Sequence, residues 1–147
     1  MKNPPVNYHQ FTDLIASSGQ PDRAQLFAIA DDDYEVVINL AMHDSENAIA
    51  EEGSIVASLG MHYINIPVPF EEPEREHLEE FVGIMDVLQK KKVWVHCAVN
   101  ARASAFMYQY LTHRRGFDEE SASSPLMQKW RNKMDPAWQA FMEIELG

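Results

Sequence analysis

The segment KKVWVHCAVNARAS, residues 91–104, is the strongest indication of how this chain folds. It begins with a short apolar run, residues 93–95, that is long enough only for a buried strand. It leads into an apolar segment, residues 103–111, that predicts a buried helix. Between the two lie Cys97, the only cysteine of the protein, and Arg102, five residues later. The segment therefore predicts a strand that passes through a tight loop directly into a helix.

Such a junction is suited to binding an anion, because loop N–H groups converge on one spot that the helix dipole makes positive. We expect Cys97 at this spot to be a thiolate near neutral pH. Arg102 offers a two-pronged fork for the oxygens of a phosphate or sulfate. A lone cysteine in an apolar run is more often a small core residue. Here the flanking His96 and Arg102 favour a nucleophile that faces an oxyanion.

The composition predicts one acidic domain over residues 1–147, with its core at about 8–116 and C-terminal helices at about 117–147. Twelve basic against 23 acidic residues give a formal net charge of −11, which disfavours nucleic acid and anionic membranes as partners. A single cysteine excludes an internal disulfide. Because no apolar run could span a membrane or act as a signal peptide, we expect a cytoplasmic protein. An exported form whose signal was removed is the alternative.

The rest of the chain predicts further strands alternating with helices. Residues 34–40 and 62–67 are predicted as strands, and residues 17–21 as a turn. Helices are predicted at 22–30, 47–59 and 72–89, after residue 103, and from Ser124-Pro125 and Asp135-Pro136. This order predicts an α/β fold with a mostly parallel sheet and helices on both faces. The loops 41–46, 67–72 and 97–102 should meet in one cleft at the carboxyl ends of the strands.

The motif His96-Cys97-x-x-Asn100-x-Arg102 resembles that of the cysteine-dependent phosphatases, the tyrosine and dual-specificity class. Three further motifs are SGQP at 18–21, VVINL at 36–40 and YINIPV at 63–68. Their order is similar to that of a small bacterial phosphatase-like family that also occurs fused to β-lactamase-fold hydrolases. The resemblance covers about residues 8–116. It implies a phosphatase-like fold.

The resemblance also implies a phosphocysteine mechanism that needs no cofactor. Cys97 would attack phosphorus, and Arg102 with the loop amides would hold the phosphate oxygens. His96 is expected to be a buried hydrogen-bonding residue, and the resemblance adds a role in tuning the acidity of Cys97. The expected partner is a phosphate-bearing small molecule or a phosphoprotein. The remaining residues assigned to the phosphate site are Ala98, Val99, Asn100, Ala101, Ala103 and Ser104.

The sequence departs from the larger superfamily at several positions. Arg102 comes one residue earlier than usual, although the small bacterial family shares this spacing. Asn100 replaces the usual loop glycine, and asparagine tolerates the left-handed backbone that this turn needs. Ala41 stands where an arginine is common, and the aspartate that dual-specificity enzymes use as an acid is missing.

Three carboxylates are candidates for the general acid: Asp44, Glu71 and Glu72. Each has an ordinary structural alternative. Asp44 could cap the following helix, and Glu71 and Glu72 could be the acidic first turn of the helix that begins near Pro73. An aryl phosphate, which has a good leaving group, depends on such an acid least.

Two other functions compete with a phosphatase. The first is a catalytically impaired binder of phosphate-bearing ligands, because Asn100, Ala41 and the missing aspartate could leave a pocket without turnover. The second is a rhodanese-like sulfurtransferase, in which Cys97 would carry a persulfide. A metal site is not expected, because His43, His62, His77 and His113 lack ligand spacing.

Overall fold

A five-stranded sheet of order β1-β2-β5-β3-β4 forms the centre of the computed structural model, which describes residues 1–146. The strands are β1 (His9–Thr12), β2 (Ile15–Ser18), β3 (Val36–Asn39), β4 (His62–Asn65) and β5 (Val93–His96). The helices are α1 (Arg23–Asp31), α2 (Glu52–Ser58), α3 (Arg75–Val87), α4 (Ala101–Arg114), α5 (Pro125–Trp130) and α6 (Pro136–Met142). A short 3₁₀ turn, Arg131–Lys133, follows α5.

β5 is the central strand, and it pairs in parallel with both β2 and β3. Its last residue, His96, lies opposite Ser18 of β2 and Asn39 of β3. β4 continues the parallel set on the far side of β3, and β1 pairs antiparallel with β2. The carboxyl ends of β2, β3, β4 and β5 therefore share one edge of the sheet. The predicted α/β fold with a mostly parallel sheet is confirmed.

Helices cover both faces of the sheet. Because successive side chains of a strand point to opposite faces, each strand contributes to two cores. Val93 and Val95 of β5 face the larger core, which contains residues of α3, α4, α5 and α6. Trp94 between them faces the smaller core, with residues of α1 and α2. The continuous burial of β5 explains why its sequence is apolar without alternation. Phe141 and Trp138 of α6 are 1% and 0% exposed, so the C-terminal helices pack into the larger core.

The prediction of a turn at residues 17–21 was wrong in its first half. Ser17 and Ser18 are the end of strand β2 and are fully buried. Their hydroxyl groups suggested a turn, but the buried indole of Trp94 donates a hydrogen bond of 2.8 Å to Ser18 Oγ. Trp94 lies on the neighbouring strand β5, so the local sequence around Ser18 gives no sign of this partner. The β1–β2 hairpin was missed for the same reason.

The helix predicted at 47–59 is shorter in the structure, where α2 begins at Glu52. Residues 43–51 form turns instead, and Glu51 has a left-handed backbone with φ of 61°. The side chain of Asn47 donates a hydrogen bond of 3.0 Å to the carbonyl oxygen of Ala98. The helices predicted from Ser124-Pro125 and Asp135-Pro136 are confirmed, and each is capped by the residue before its proline.

Candidate active site

Cys97 directly follows β5 at the carboxyl edge of the sheet. Its side chain is 1% exposed and forms no disulfide. Its backbone N–H donates to the carbonyl oxygen of Ser18 at 3.3 Å, which continues the pairing with β2 by one residue. Helix α4 begins at Ala101, so the connecting loop is very short. The strand, loop and helix predicted from residues 91–104 are all present. Residues 97–102 are called the cysteine loop below.

The N-terminus of α4 has no side-chain cap. Asn100 is the N-cap residue, with φ of 77°, so it adopts the left-handed backbone expected from the sequence. Its side chain points away from the helix end, and its Nδ2 donates to the carbonyl oxygen of Asn7 at 2.7 Å. The first intrahelical bond runs from Ser104 N to the carbonyl oxygen of Asn100. The N–H groups of the first turn are thus left for an anion, at the positive end of a 14-residue helix.

Arg102 lies in this first turn of α4 and is only 6% exposed. Its Nη1 donates to the carbonyl oxygen of Val68 at 2.8 Å, on the loop that follows β4. Its guanidinium carbon lies 5.8 Å from the centre of the Phe70 ring. Its Nε is buried without a hydrogen-bond partner among residues 1–146. A buried guanidinium with an unused N–H group is suited to receive an oxyanion.

Several loops converge on the cysteine loop. The carbonyl oxygen of Ala98 accepts from Asn47 Nδ2, on the loop after β3, and from Gln20 N, after β2, both at 3.0 Å. The carbonyl oxygen of Val99 accepts from Asn7 Nδ2 at 2.8 Å. Together with the contact between Arg102 and the loop after β4, these bonds confirm that the loops after β3, β4 and β5 meet. The role of Asn7 was missed, because nothing in its local sequence points to a partner more than 90 residues away.

A buried polar network lies directly behind Cys97. His96 is fully buried, and its Nε2 lies 2.6 Å from Oε2 of Glu52. Its Nδ1 lies 3.2 Å from the carbonyl oxygen of Cys97. The other carboxylate oxygen of Glu52 accepts from Gln20 Nε2 at 2.8 Å. The network joins α2, β5 and the loop after β2. Sequence reasoning missed Glu52, because a glutamate within a predicted helix is ordinarily exposed.

The three candidate acids are exposed and lie on the loops adjoining the cysteine loop. Asp44 belongs to the loop between β3 and α2, and Glu71 and Glu72 belong to the loop between β4 and α3. Ala41, which stands where an arginine is common, is 1% exposed.

Of the six further residues assigned to the phosphate site, four are buried and two are not. Val99 is 49% exposed and Ala98 is half-buried, so these two lie at the surface. Ala103 and Ser104 are fully buried within α4. The hydroxyl of Ser104 lies 2.7 Å from that of Ser124, which caps α5, so the Ser104 side chain ties α4 to α5.

A cleft of about 500 Å³ opens beside the cysteine loop. Phe70 and Trp130 form an aromatic wall, with ring centroids 5.9 Å apart and ring planes 24° apart. Trp130 is only partly buried, at the end of the short helix α5. This cleft is called the Trp130 cleft. Its lining includes Phe70, Val99, Ala101, Lys129, Trp130 and Lys133.

The described residues contain no group of three or more His, Cys, Asp or Glu side chains that could hold a metal ion. Within residues 1–146, the helices are too short or too polar to cross a membrane.

No family model and no curated protein matches the sequence. Solved structures do match, and they define the class: the fold is that of the phosphatases related to the protein tyrosine phosphatases. One of them is described as "Putative phosphatase (DUF442)" from Shewanella putrefaciens CN-32. It is 34% identical, with a TM-score of 0.85, and the match covers 94% of this chain and 89% of that chain. The chain belongs to this DUF442 family.

Two more distant structures share the fold. Tk-PTP in its active form is 22% identical, with a TM-score of 0.73, and the match covers 93% of this chain and 94% of that one. TpbA from P. aeruginosa, solved in complex with pTyr, is 12% identical, with a TM-score of 0.71 and coverage of 94% and 83%. At these identities the likeness concerns the fold alone.

Proposed function

We propose that this protein hydrolyses phosphomonoesters through a phosphocysteine intermediate on Cys97. One observation carries the proposal: Cys97 begins the short loop that leads to the uncapped N-terminus of α4, and Arg102 lies in the first turn of that helix. In the proposed site a nucleophile, loop N–H groups and a guanidinium act together on one phosphate group. The membership in a family described as phosphatases supports the same reaction class.

In the first step the thiolate of Cys97 attacks phosphorus. An S–P bond forms, the P–O bond to the leaving group breaks, and the leaving oxygen takes a proton from an acid or from water. Arg102 and the N–H groups of residues 98–103 hold the three other phosphate oxygens, over which the negative charge is spread in the transition state. The bond from Arg102 Nη1 to the carbonyl oxygen of Val68 fixes the direction of the guanidinium.

In the second step water attacks the phosphorus of the phosphocysteine. The S–P bond breaks, inorganic phosphate leaves, and Cys97 returns as a thiolate, so no oxidant or cofactor is consumed. Asp44, Glu71 and Glu72 are the proposed candidates for the acid and base, because they are exposed on the loops that adjoin the cysteine loop. Aryl phosphates are the proposed substrates, because their leaving groups need protonation least.

The test is the hydrolysis of a generic aryl phosphate by the parent protein and two variants. Cys97→Ser removes the nucleophile, and Arg102→Lys keeps the charge but loses the fork. We expect both to lose at least about a hundredfold in kcat/KM, and vanadate to inhibit the parent. Activity that survives Cys97→Ser would refute the nucleophile assignment.

Single Asp44→Asn, Glu71→Gln and Glu72→Gln variants, compared on substrates with good and poor leaving groups, then identify the acid. Replacing the true acid should lower kcat/KM far more for the substrate with the poor leaving group than for the substrate with the good one.

A second candidate function is a binder of phosphate-bearing ligands without turnover. The burial of Cys97, which is 1% exposed and packs in the larger core, favours it, because a nucleophile must reach its substrate. Saturable binding of phosphate by a parent protein that hydrolyses no aryl phosphate would support this candidate over the phosphatase.

A further inference from the structure

The Trp130 cleft is positively charged in a protein that is strongly acidic. Lys129 and Lys133 line it, and none of its described lining residues is Asp or Glu. The whole chain has 12 basic against 23 acidic residues, so a cleft with two cations and no acid runs against the composition. By contrast, Lys92, which lies outside the cleft, forms an ion pair with Asp32 at 3.6 Å. Within residues 1–146, the side chains of Lys129 and Lys133 have neither an ion-pair nor a hydrogen-bond partner.

The cleft also offers a flat aromatic surface next to the arginine of the candidate active site. The Phe70 ring stacks on Trp130 and lies 5.8 Å from the guanidinium carbon of Arg102. One aromatic side chain therefore contacts both the group assigned to the phosphate and the wall of the cleft. An aromatic ring bound here would gain both apolar burial and ring stacking.

The cleft is continuous with the cysteine loop. Val99 and Ala101, which line it, flank the N-cap residue of α4. Its volume of about 500 Å³ lies within the range of roughly 300–1,000 Å³ typical of small-ligand sites. A group attached to a phosphate that the cysteine loop holds would extend into this cleft.

We infer that the substrate is a small aromatic phosphomonoester that carries a second anionic group, with its ring against Phe70 and Trp130 and its second anion at Lys129 and Lys133. This inference rests on the proposed phosphatase activity. It adds the chemical class of the leaving group. Both lysines are exposed to solvent, so each contributes modestly, about two- to fivefold in kcat/KM, and the contribution falls with salt.

The experiment compares two substrates that differ only in the second charge. One is the phosphate ester of phloretic acid, a phenyl phosphate with a propionate chain opposite the phosphate, and the other is its primary amide. The chain insulates the ring, so both phenols are equally good leaving groups. We expect the parent protein to prefer the acid about tenfold in kcat/KM at low ionic strength, and this preference to shrink at about 0.5 M salt.

Charge variants test whether Lys129 and Lys133 cause the preference for the acid over the amide. The double variant Lys129→Met, Lys133→Met should bring the ratio of acid to amide close to one, and each single variant should fall between. Lys90→Met is the matched control, because Lys90 is an exposed lysine that precedes β5, at the opposite end of this strand from Cys97. It makes the same change in charge as each single variant and should keep the parent ratio. A parent ratio near one, or a preference that the double variant retains, would overturn the inference.

A binding measurement separates this inference from the proposed function. Trp94 and Trp138 are 1% and 0% exposed, so Trp130 is the tryptophan that a ligand in the cleft can reach. Both phosphates are titrated into the Cys97→Ser protein and followed by tryptophan fluorescence, with Trp130→Phe to assign the signal. Tighter binding of the acid, lost in the double lysine variant, supports the inference even if the parent hydrolyses neither ester. Equal binding of acid and amide overturns it even if hydrolysis depends on Cys97.

Discussion

The imidazole of His96 and the carboxylate of Glu52 meet at 2.6 Å in the interior, with side chains that are 0% and 5% exposed. Glu52 is the first residue of α2, and His96 is the last residue of the central strand. Their contact, extended by Gln20, connects the smaller-core side of the sheet to the residue before the candidate nucleophile. The network therefore anchors the start of the cysteine loop from the smaller-core side of the sheet.

Removing Glu52 should destabilise the protein strongly. Glu52→Ala leaves Nε2 of the buried His96 without a partner and removes one of two bonds of the Gln20 amide, and leaving a buried polar group unsatisfied typically costs about 1–3 kcal/mol. Glu52→Gln keeps a hydrogen-bonding group of the same shape and should cost clearly less. Urea denaturation followed by tryptophan fluorescence measures both. The control is Glu46→Ala, an exposed glutamate of the preceding loop, which should change stability by less than about 0.5 kcal/mol. Equal stability of the Glu52→Ala and Glu46→Ala proteins would contradict the structural role.

Gly19→Ala should displace the cysteine loop. A Cβ at Gly19 would lie 2.7 Å from the carbonyl oxygen of Ala98 and still closer to Cγ1 of Val6. Since the first of these is backbone, the loop itself must move. We expect a loss of about 1–3 kcal/mol in stability and a fall of roughly ten- to a hundredfold in kcat/KM.

The matched control for that substitution is Gly83→Ala, in the middle of α3, where an added Cβ meets no heavy atom of the described residues within 4 Å. Alanine is the better helix former, so this variant should gain about 0.5–1 kcal/mol and keep its activity. An active, fully stable Gly19→Ala protein would show that the loop tolerates the displacement.

The stability of the protein should decline above about pH 10, in part through Tyr34. Burial raises the pKa of Tyr34 above its usual value of 10.0, and a hydrogen bond with Gln10 partly offsets the shift. The folded state then keeps a proton that the unfolded state loses. The contribution is complete below about pH 10 and is lost as the pH rises through the folded pKa. Tyr34→Phe should flatten this alkaline limb in denaturation curves recorded at a series of pH values. Tyr63→Phe should add to the effect, because burial also raises the pKa of Tyr63. An unchanged alkaline limb in the double variant would argue against these shifts.

The sequence predicted the parts of the fold that depend on local patterns. The apolar runs in β3 and β5, the paired Ser-Pro and Asp-Pro helix starts and the strand–loop–helix around Cys97 are all local signals, and all were found. Strand β2 was missed because its stability comes from a neighbour. Ser17 and Ser18 are strand residues only because β5 pairs with them and Trp94 binds the Ser18 hydroxyl.

The same distinction holds within the candidate site. Cys97, Arg102 and Asn100 lie within six residues of one another and could be recognised together. Glu52, Asn7 and the two lysines of the Trp130 cleft come from distant segments, and only the folded chain brings them to the cysteine loop. Their roles depend on tertiary contacts, which no local pattern encodes.

Asn100 should be replaceable by glycine but not by alanine. Its φ of 77° is open to glycine and strained for alanine. Both variants lose the bond to the carbonyl oxygen of Asn7, so the difference between them isolates the backbone term, about 1–2 kcal/mol in favour of glycine. Gly116→Ala is the control, because Gly116 has φ of 70° and an added Cβ there meets no described atom within 4 Å. It lies beyond the C-terminal end of α4, so it should lose comparable stability and retain full kcat/KM, whereas Asn100→Ala should lose both. If the alanine and glycine variants at residue 100 were equally stable and active, the left-handed turn would not be what positions the first turn of α4, and Arg102 within it, relative to Cys97.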